Sequence, residues 1–195
     1  MIIVSLCHQK HLVLPMKTKL LLLLFLAHFS IYAQYTLIPD SKFEKKLISQ
    51  GLDSGPIDGK VLTANIAAAK NLDVSNASIT DLTGLEDFVS LEYFLCGFNK
   101  LSTLDVSKNT KLKQIECYEN NITSLDLSHN PDLEYLDCFK NKLTSLDLSQ
   151  NKLLTVVYCY ENLLTNLNIT NLSSLKSLDC PNNQLTVLDV STNTA

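Results

Sequence analysis

From Leu91 onward the chain repeats every 21 residues, and five copies follow one another without an insertion. They read LEYFLCGFNKLSTLDVSKNTK, LKQIECYENNITSLDLSHNPD, LEYLDCFKNKLTSLDLSQNKL, LTVVYCYENLLTNLNITNLSS and LKSLDCPNNQLTVLDVSTNTA. The shared pattern is L-x-x-L-x-C-x-x-N-x-L-T-x-L-D-V-S-x-N-x-x. A fixed period of this length constrains the fold strongly, because one such unit cannot bury its apolar positions alone and must stack on its neighbours. The apolar slots at repeat positions 1, 4, 6, 11, 14 and 16 must then face inward. The expected fold is a mainly β repeat solenoid, a stack of coils with parallel sheet(s). Copy four departs from the pattern, with Asn168 in place of Asp and Leu172 in place of the second asparagine.

The pattern is nested: LxxLxCxxN is followed by LxxLDLSxN. It resembles the leucine-rich repeat family, and within it the 21-residue subclass often called IRREKO, over residues 91–195. Residues 69–90 form one 22-residue unit, AKNLDVSNASITDLTGLEDFVS, similar to the internalin type of the same family. Ala77 stands where its asparagine should be, as expected of an atypical terminal repeat. The resemblance implies protein–protein recognition rather than catalysis.

Upstream, DSKFEKKLISQG predicts a helix over about 41–50, with Ser41 and Glu44 as a capping box, Phe43 and Leu47 on one face, and Gly51 as its stop. Residues 34–68 are read as a cap over the apolar end of the stack, with short α-helical content. The turn-rich DSGPIDGK places Asp53 and Asp58 near each other, but their spacing fits no full calcium loop.

Residues 1–33 are read as a secretory signal peptide. An apolar run from Leu20 to Ala27 follows Lys17 and Lys19, and Ala33 offers a small residue at the cleavage edge before Gln34. Met16 is an alternative start, and Leu6 makes Cys7 a poor lipidation site. Together with the repeat composition, this leader looks like those of secreted Bacteroidetes surface proteins. The implied location is the cell surface or the extracellular medium.

Position 6 of the repeat is cysteine in every copy: Cys96, Cys117, Cys138, Cys159 and Cys180. Stacked coils put them in one column, about 4.8 Å apart. A straight column does not converge on a metal, in-register side chains point alike rather than at one another, and an odd number cannot pair fully. His129 lies at position 18, in the other half of the coil, so it offers no base to a nucleophilic thiol. The expectation is a column of buried, unreactive thiols acting as small hydrophobes. Position 9 is asparagine in every copy: Asn99, Asn120, Asn141, Asn162 and Asn183. The chain must turn there, and a short amide can satisfy backbone groups of its own coil and the next. Asn76, Asn121, Asn168 and Asn171 sit in glycosylation-like triplets, three of them generated by the repeat itself.

A strand over positions 2–8 would turn positions 3, 5, 7 and 8 outward. Those positions hold Tyr93, Phe98, Tyr118, Tyr135, Phe139, Tyr158 and Tyr160, seven of the eleven Phe and Tyr beyond residue 33. Glu116, Glu119, Asp137, Lys140 and Glu161 lie between them. Aromatic rings with a charged rim mark an interaction surface, with Tyr118, Phe139 and Tyr160 at its centre. Ring stacking that stiffens the sheet is the alternative reading. The opposite outward face carries Thr, Ser and Asp, with Asp105, Asp126, Asp147 and Asp189 in one column. These carboxylates suit local bonds to Ser107, Ser128, Ser149 and Ser191 better than calcium.

The chain has sixteen lysines, no arginine and twenty acidic residues; three lysines fall in residues 1–33, so the remainder carries a net charge of −7. An acidic, arginine-free surface is a poor partner for nucleic acid. No catalytic set, cofactor motif or metal cluster is legible. The sequence therefore points to a non-enzymatic binding module, an adhesin, scaffold or adaptor with a protein partner. A glycan ligand, with rings stacking on sugars, and a structural spacer are the rival readings. Ala195 is position 21 of its copy, which leaves the last coil's apolar slots without a cover. The expectation is a longer protein or end-to-end association.

Overall fold

A computed structural model describes residues 34–194. The leader expected over residues 1–33, with Met16 and Cys7, lies outside them, as does Ala195. The described chain opens with a short strand, β1 (Tyr35–Leu37), then helix α1 (Ser41–Ser49), then β2 (Lys60–Leu62), antiparallel to β1, and a single turn of helix, α2 (Thr63–Ile66). The coils follow. Each contributes one three-residue strand to a parallel six-stranded sheet: β3 (Asn71–Asp73), β4 (Tyr93–Leu95), β5 (Gln114–Glu116), β6 (Tyr135–Asp137), β8 (Val156–Tyr158) and β10 (Ser177–Asp179). The second half-repeat supplies a smaller parallel pair, β7 (Ser145–Asp147) with β9 (Asn166–Asn168).

The helix is capped differently from the sequence expectation. Asp40, not Ser41, is the N-cap, and its Oδ1 accepts from the Lys42 and Phe43 amides at 2.9 and 3.3 Å. Its Oδ2 accepts from the Thr80 amide at 2.9 Å, which ties the cap to the first coil. Glu44 does not reach back to close a box. It is fully buried and accepts from the Asp58 and Gly59 amides at 2.7 and 2.9 Å, pinning the DSGPIDGK loop. Phe43 and Leu47 share the buried face, and Phe43 stacks on Phe88 of the first coil at 6.4 Å. Gly51 ends the helix at φ 72°, a left-handed backbone that suits glycine.

Along each coil the inward slots fill a continuous core. Leu91, Phe94, Leu112, Ile115, Leu133, Leu136, Leu154 and Val157 are all fully buried. Cys96, Cys117, Cys138 and Cys159 are fully buried free thiols in the same core, whereas Cys180 is only half-buried, since no described coil stacks beyond it. Burial pushes Cys117 and Cys159 up to about 12, and Cys96 and Cys138 well above the usual thiol range. At neutral pH these sulfurs are protonated and inert.

The strand is shorter than the sequence suggested. It covers positions 3–5, not 2–8. Backbone bonds between coils do continue past it, as from the Cys117 amide to the Asp137 carbonyl at 2.8 Å and from the Glu119 amide to the Phe139 carbonyl at 3.0 Å. At position 8, however, the chain swings into the left-handed region. Phe98, Glu119, Lys140, Glu161 and Asn182 have φ between 50° and 55°. Four of these are residues that rarely adopt that conformation, so the turn is imposed from outside the residue.

What imposes it is the asparagine one place on. Asn141 Oδ1 accepts from the Ile122 amide of the preceding coil at 2.9 Å. Its Nδ2 donates to the Cys117 carbonyl of that coil at 3.0 Å and to its own coil's Cys138 carbonyl at 3.2 Å. Asn120, Asn162 and Asn183 repeat this pattern. The amide thus serves its own coil and the preceding one, not the next. That explains why Ala77 is tolerated in the first coil: Asn99 of the second coil accepts from the Ala77 and Ile79 amides at 3.2 and 2.9 Å.

Thiol-specific labelling of the native chain should modify Cys180 first and the other four cysteines of the stack only on unfolding. Cys138→Val should cost under about 1.5 kcal/mol because the volume is nearly kept, whereas Cys138→Asp should unfold the adjacent coils by burying an unpaired charge. Urea melts of both variants check the contrast.

Candidate functional site

The outward face of the six-stranded sheet carries the densest grouping of aromatic and acidic side chains. Its geometry follows from the register. Gln114 pairs with Tyr135 and Tyr135 with Val156 at position 3, and Glu116 pairs with Asp137 and Asp137 with Tyr158 at position 5. Two residues further, where the strand has ended but the turn has not begun, position 7 holds Tyr118, Phe139 and Tyr160.

These three rings form a stack. Tyr118 and Phe139 lie 4.8 Å apart and 4° from parallel, and Phe139 and Tyr160 lie 4.5 Å apart and 6° from parallel. In-register coils repeat at about the thickness of stacked rings, so one ring per coil at a fixed position must stack face to face. All three are only partly exposed. Phe98 meets the edge of Tyr118 at 5.2 Å and 87°. It stands at position 8, on the left-handed turn rather than on a strand, and is 49% exposed. Position 7 of its coil is Gly97, where an added Cβ would come within 2.7 Å of Cζ in the Tyr118 ring. The absent side chain is what lets that ring lie over the backbone. Tyr135 and Tyr158 meet edge to face at 5.9 Å and 88°. Tyr93 stands apart from these pairs at the first-coil end of the face, and is exposed.

Lys140, also expected on the strand face, projects from the left-handed turn and pairs with Glu119 at 3.0 Å. The pair is exposed, so it contributes little stability.

Asp137 is the residue that sequence reasoning undervalued. It is 7% exposed, and among the described residues its carboxyl has one hydrogen bond, a long 3.5 Å acceptance from the Phe139 amide. Among the described residues no ion pair reaches Asp137 or Glu116; Glu116 takes a 2.6 Å bond from Gln114 Nε2. Burial pushes the Asp137 carboxyl up to about 6; the Phe139 amide pulls against it, and the Glu116 charge adds a smaller push upward. Burial and then the Asp137 charge push the Tyr135 hydroxyl up to about 12. The signal was available: a short acidic residue stands between Tyr135 and Phe139 in its own coil and between Glu116 and Tyr158 at its own position, all of them longer side chains.

The opposite outward face is organised locally. Asp105, Asp126, Asp147 and Asp189 each accept the amide two residues on, from Ser107, Ser128, Ser149 and Ser191, at 2.9 Å. Asn168 does the same with Thr170 at 3.1 Å. Those backbone bonds, then the serine hydroxyls, hold Asp105, Asp126 and Asp147 below their usual range, and at Asp189 the Ser191 hydroxyl leads and the backbone bond follows. Among the described residues no three His, Cys, Asp or Glu side chains converge as a metal site.

Parallel coils of 21 residues, apolar slots turned inward and an asparagine at each turn define a leucine-rich repeat solenoid, and the chain belongs to the leucine-rich repeat family. No family model matches it. Internalin J of Listeria monocytogenes serotype 4b (strain F2365) is 42% identical over 45 residues, which is 23% of this chain and 5% of that protein. The solved functional domain of InlJ from Listeria monocytogenes, described as including a cysteine ladder, is similar with a TM-score of 0.65 and 32% identity, over 83% of this chain and 41% of that one. A leucine-rich repeat protein of Leptospira interrogans follows at TM-score 0.55 and 25% identity, over 62% of this chain and 33% of that one. The chain therefore spans less than half the length of each of these three.

Asp137 gives a direct pH test. Its carboxyl is raised in the folded state, so the folded chain holds a proton more tightly than the unfolded chain. That contribution to stability is full below about pH 4, and is lost as pH rises through the folded value of about 6. Asp137→Asn removes the group that must ionise. It should raise the melting temperature at pH 7.5 and leave it unchanged at pH 3.5, as read by thermal melts across that range.

Proposed function

We propose that this chain is a non-enzymatic protein-recognition module of an exported protein, an adhesin, scaffold or adaptor whose contact surface is the aromatic face of the main sheet. The observation that carries this reading is the continuous outward surface formed by Tyr118, Phe139 and Tyr160 beside Tyr135, Asp137 and Tyr158. Rigid rings with few rotatable bonds offer contact area at low entropic cost, and partly desolvated acids beside them confer specificity. The leucine-rich repeat relatives support a binding role rather than catalysis. Export rests on the leader read in residues 1–33. Among the described residues no helix is long and apolar enough to cross a membrane.

Glycan binding is the weaker reading. A sugar stacks on the face of a ring, and the faces of the central rings are turned to one another at 4.5 and 4.8 Å. What they offer a ligand is mainly edges. The same stacking favours the spacer reading, since such a column stiffens the sheet whether or not anything binds. End-to-end association belongs to the same proposal: Val190, in an inward slot of the last coil, is 54% exposed.

Changing Tyr118, Phe139 and Tyr160 together to serine separates recognition from stiffening. A recognition surface predicts loss of partner capture from host-cell or bacterial surface extracts. A spacer predicts unchanged capture and a lower melting temperature alone. A glycan array probed with the same pair of proteins reads the third possibility.

A further inference from the structure

The nine outward positions of three consecutive coils form a grid with Asp137 at its centre. Along the chain its outward neighbours are Tyr135, on the same strand, and Phe139, just past its end, and across the sheet they are Glu116 and Tyr158, by direct register. Outward side chains two apart on a strand and opposite on adjacent strands are the nearest neighbours on a sheet face. Three of the four around Asp137 are aromatic and reach well beyond a carboxylate attached through a single methylene. Asp137 therefore lies at the floor of a small well with ring walls, which accounts for its 7% exposure on an outward-facing strand position. The fourth wall is a second carboxylate.

Burying a carboxylate beside another, without a cation, is unfavourable. The fold does not require it, because the equivalent position is Leu95 in one coil and Tyr158 in another. The lysines nearest in sequence are engaged elsewhere: Lys140 with Glu119 at 3.0 Å and Lys113 with Glu92 at 2.8 Å. An acidic floor attracts a cation, and the ring walls, Phe139 edge-on between its stacked neighbours and Tyr135 against Tyr158, pack against the aliphatic stem that carries it.

We propose that the well formed by Tyr135, Phe139, Tyr158, Glu116 and Asp137 is a pocket for a single lysine or arginine side chain of a protein partner. The inference rests on the recognition role of this face and names what that face would read. A basic anchor there would ion-pair with Asp137 and Glu116, and the surrounding rings would exclude water from the pair.

The test pans a random displayed-peptide library against the 195-residue chain, then measures the selected peptides on variants of it. Asp137→Asn keeps shape and removes the charge, Glu116→Gln does the same one strand away, and Asp105→Asn makes an equal charge change on the opposite face. Thermal melts verify that each variant folds. The expected result is peptides sharing one Lys or Arg, whose affinity drops roughly tenfold or more with Asp137→Asn and stays within about twofold with Asp105→Asn, as a distant, screened charge should. Replacing the shared basic residue with norleucine or citrulline should give the same loss. If Asp137→Asn does not fold, Glu116→Gln carries the comparison. Equal losses from Asp137→Asn and Asp105→Asn would mean diffuse attraction to an acidic protein and overturn the pocket. Peptides that lose binding with Phe139→Ser but lack a basic residue and ignore Asp137→Asn would overturn the pocket and leave the recognition face standing. Peptides indifferent to both Phe139→Ser and Asp137→Asn would overturn both.

Discussion

The asparagine at position 9 is the interaction on which the rest of the stack depends. A coil of 21 residues must leave its strand and reverse within a few residues, and the backbone groups of that reversal face the core. Each Asn side chain meets four of them at once, or five at Asn99, on two successive coils. An amide can do this because it offers two donor hydrogens and an acceptor on a short stem. Leaving those groups unpaired would cost about 1–3 kcal/mol apiece. The turn is stabilised by a residue of the following coil, so no coil is complete without its neighbour, and the solenoid is cooperative between adjacent repeats.

The left-handed backbone at position 8, just before the asparagine, follows from this arrangement. It ends the outward alternation of the strand and sets position 7 as the last residue whose side chain rises beside the sheet. One ring at that position in successive coils has no choice but to stack at the coil spacing, as Tyr118, Phe139 and Tyr160 do. The narrow core has a similar origin. Position 6 sits between the strand and the turn, close to the asparagine that binds its carbonyl, and a small apolar cysteine fits there.

Much of this was legible in the sequence because a period carries its own register. The inward slots, the cysteine column and the asparagine ladder follow from five aligned copies, since any side chain that recurs at one position recurs in one column. What escaped were features that depend on how the chain turns. The alternation rule, extended to position 8, placed Phe98 and Lys140 on a strand, and only the asparagine-bound turn shows why they leave it. The capping box at Ser41 failed because Glu44 had a better use in the core, holding the amides of a loop 14 residues away. A second asparagine column, Asn109, Asn130 and Asn151, is fully buried and bonds carbonyls of the preceding coil through Nδ2, while its Oδ1 atoms meet no protein donor. That half-used amide is a weaker constraint than the first, in keeping with Leu172 replacing it in copy four. Asp137 was read as rim charge because periodicity shows which way a residue faces and not how tall its neighbours are.

Amide hydrogen exchange at Ile122, in the native chain and in Asn141→Ala, tests the ladder most directly. Asn141 Oδ1 is the acceptor for that amide, across the boundary between coils. With that bond in place, exchange at Ile122 should be as slow as at the core strand residues Ile115 and Leu136. In Asn141→Ala that protection should be lost, with a loss of about 3 kcal/mol in global stability, as expected for several buried groups left unpaired. An Ile122 amide that exchanges as fast as the neighbouring exposed Thr123, or an Asn141→Ala variant within about 0.5 kcal/mol of the native chain, would contradict it.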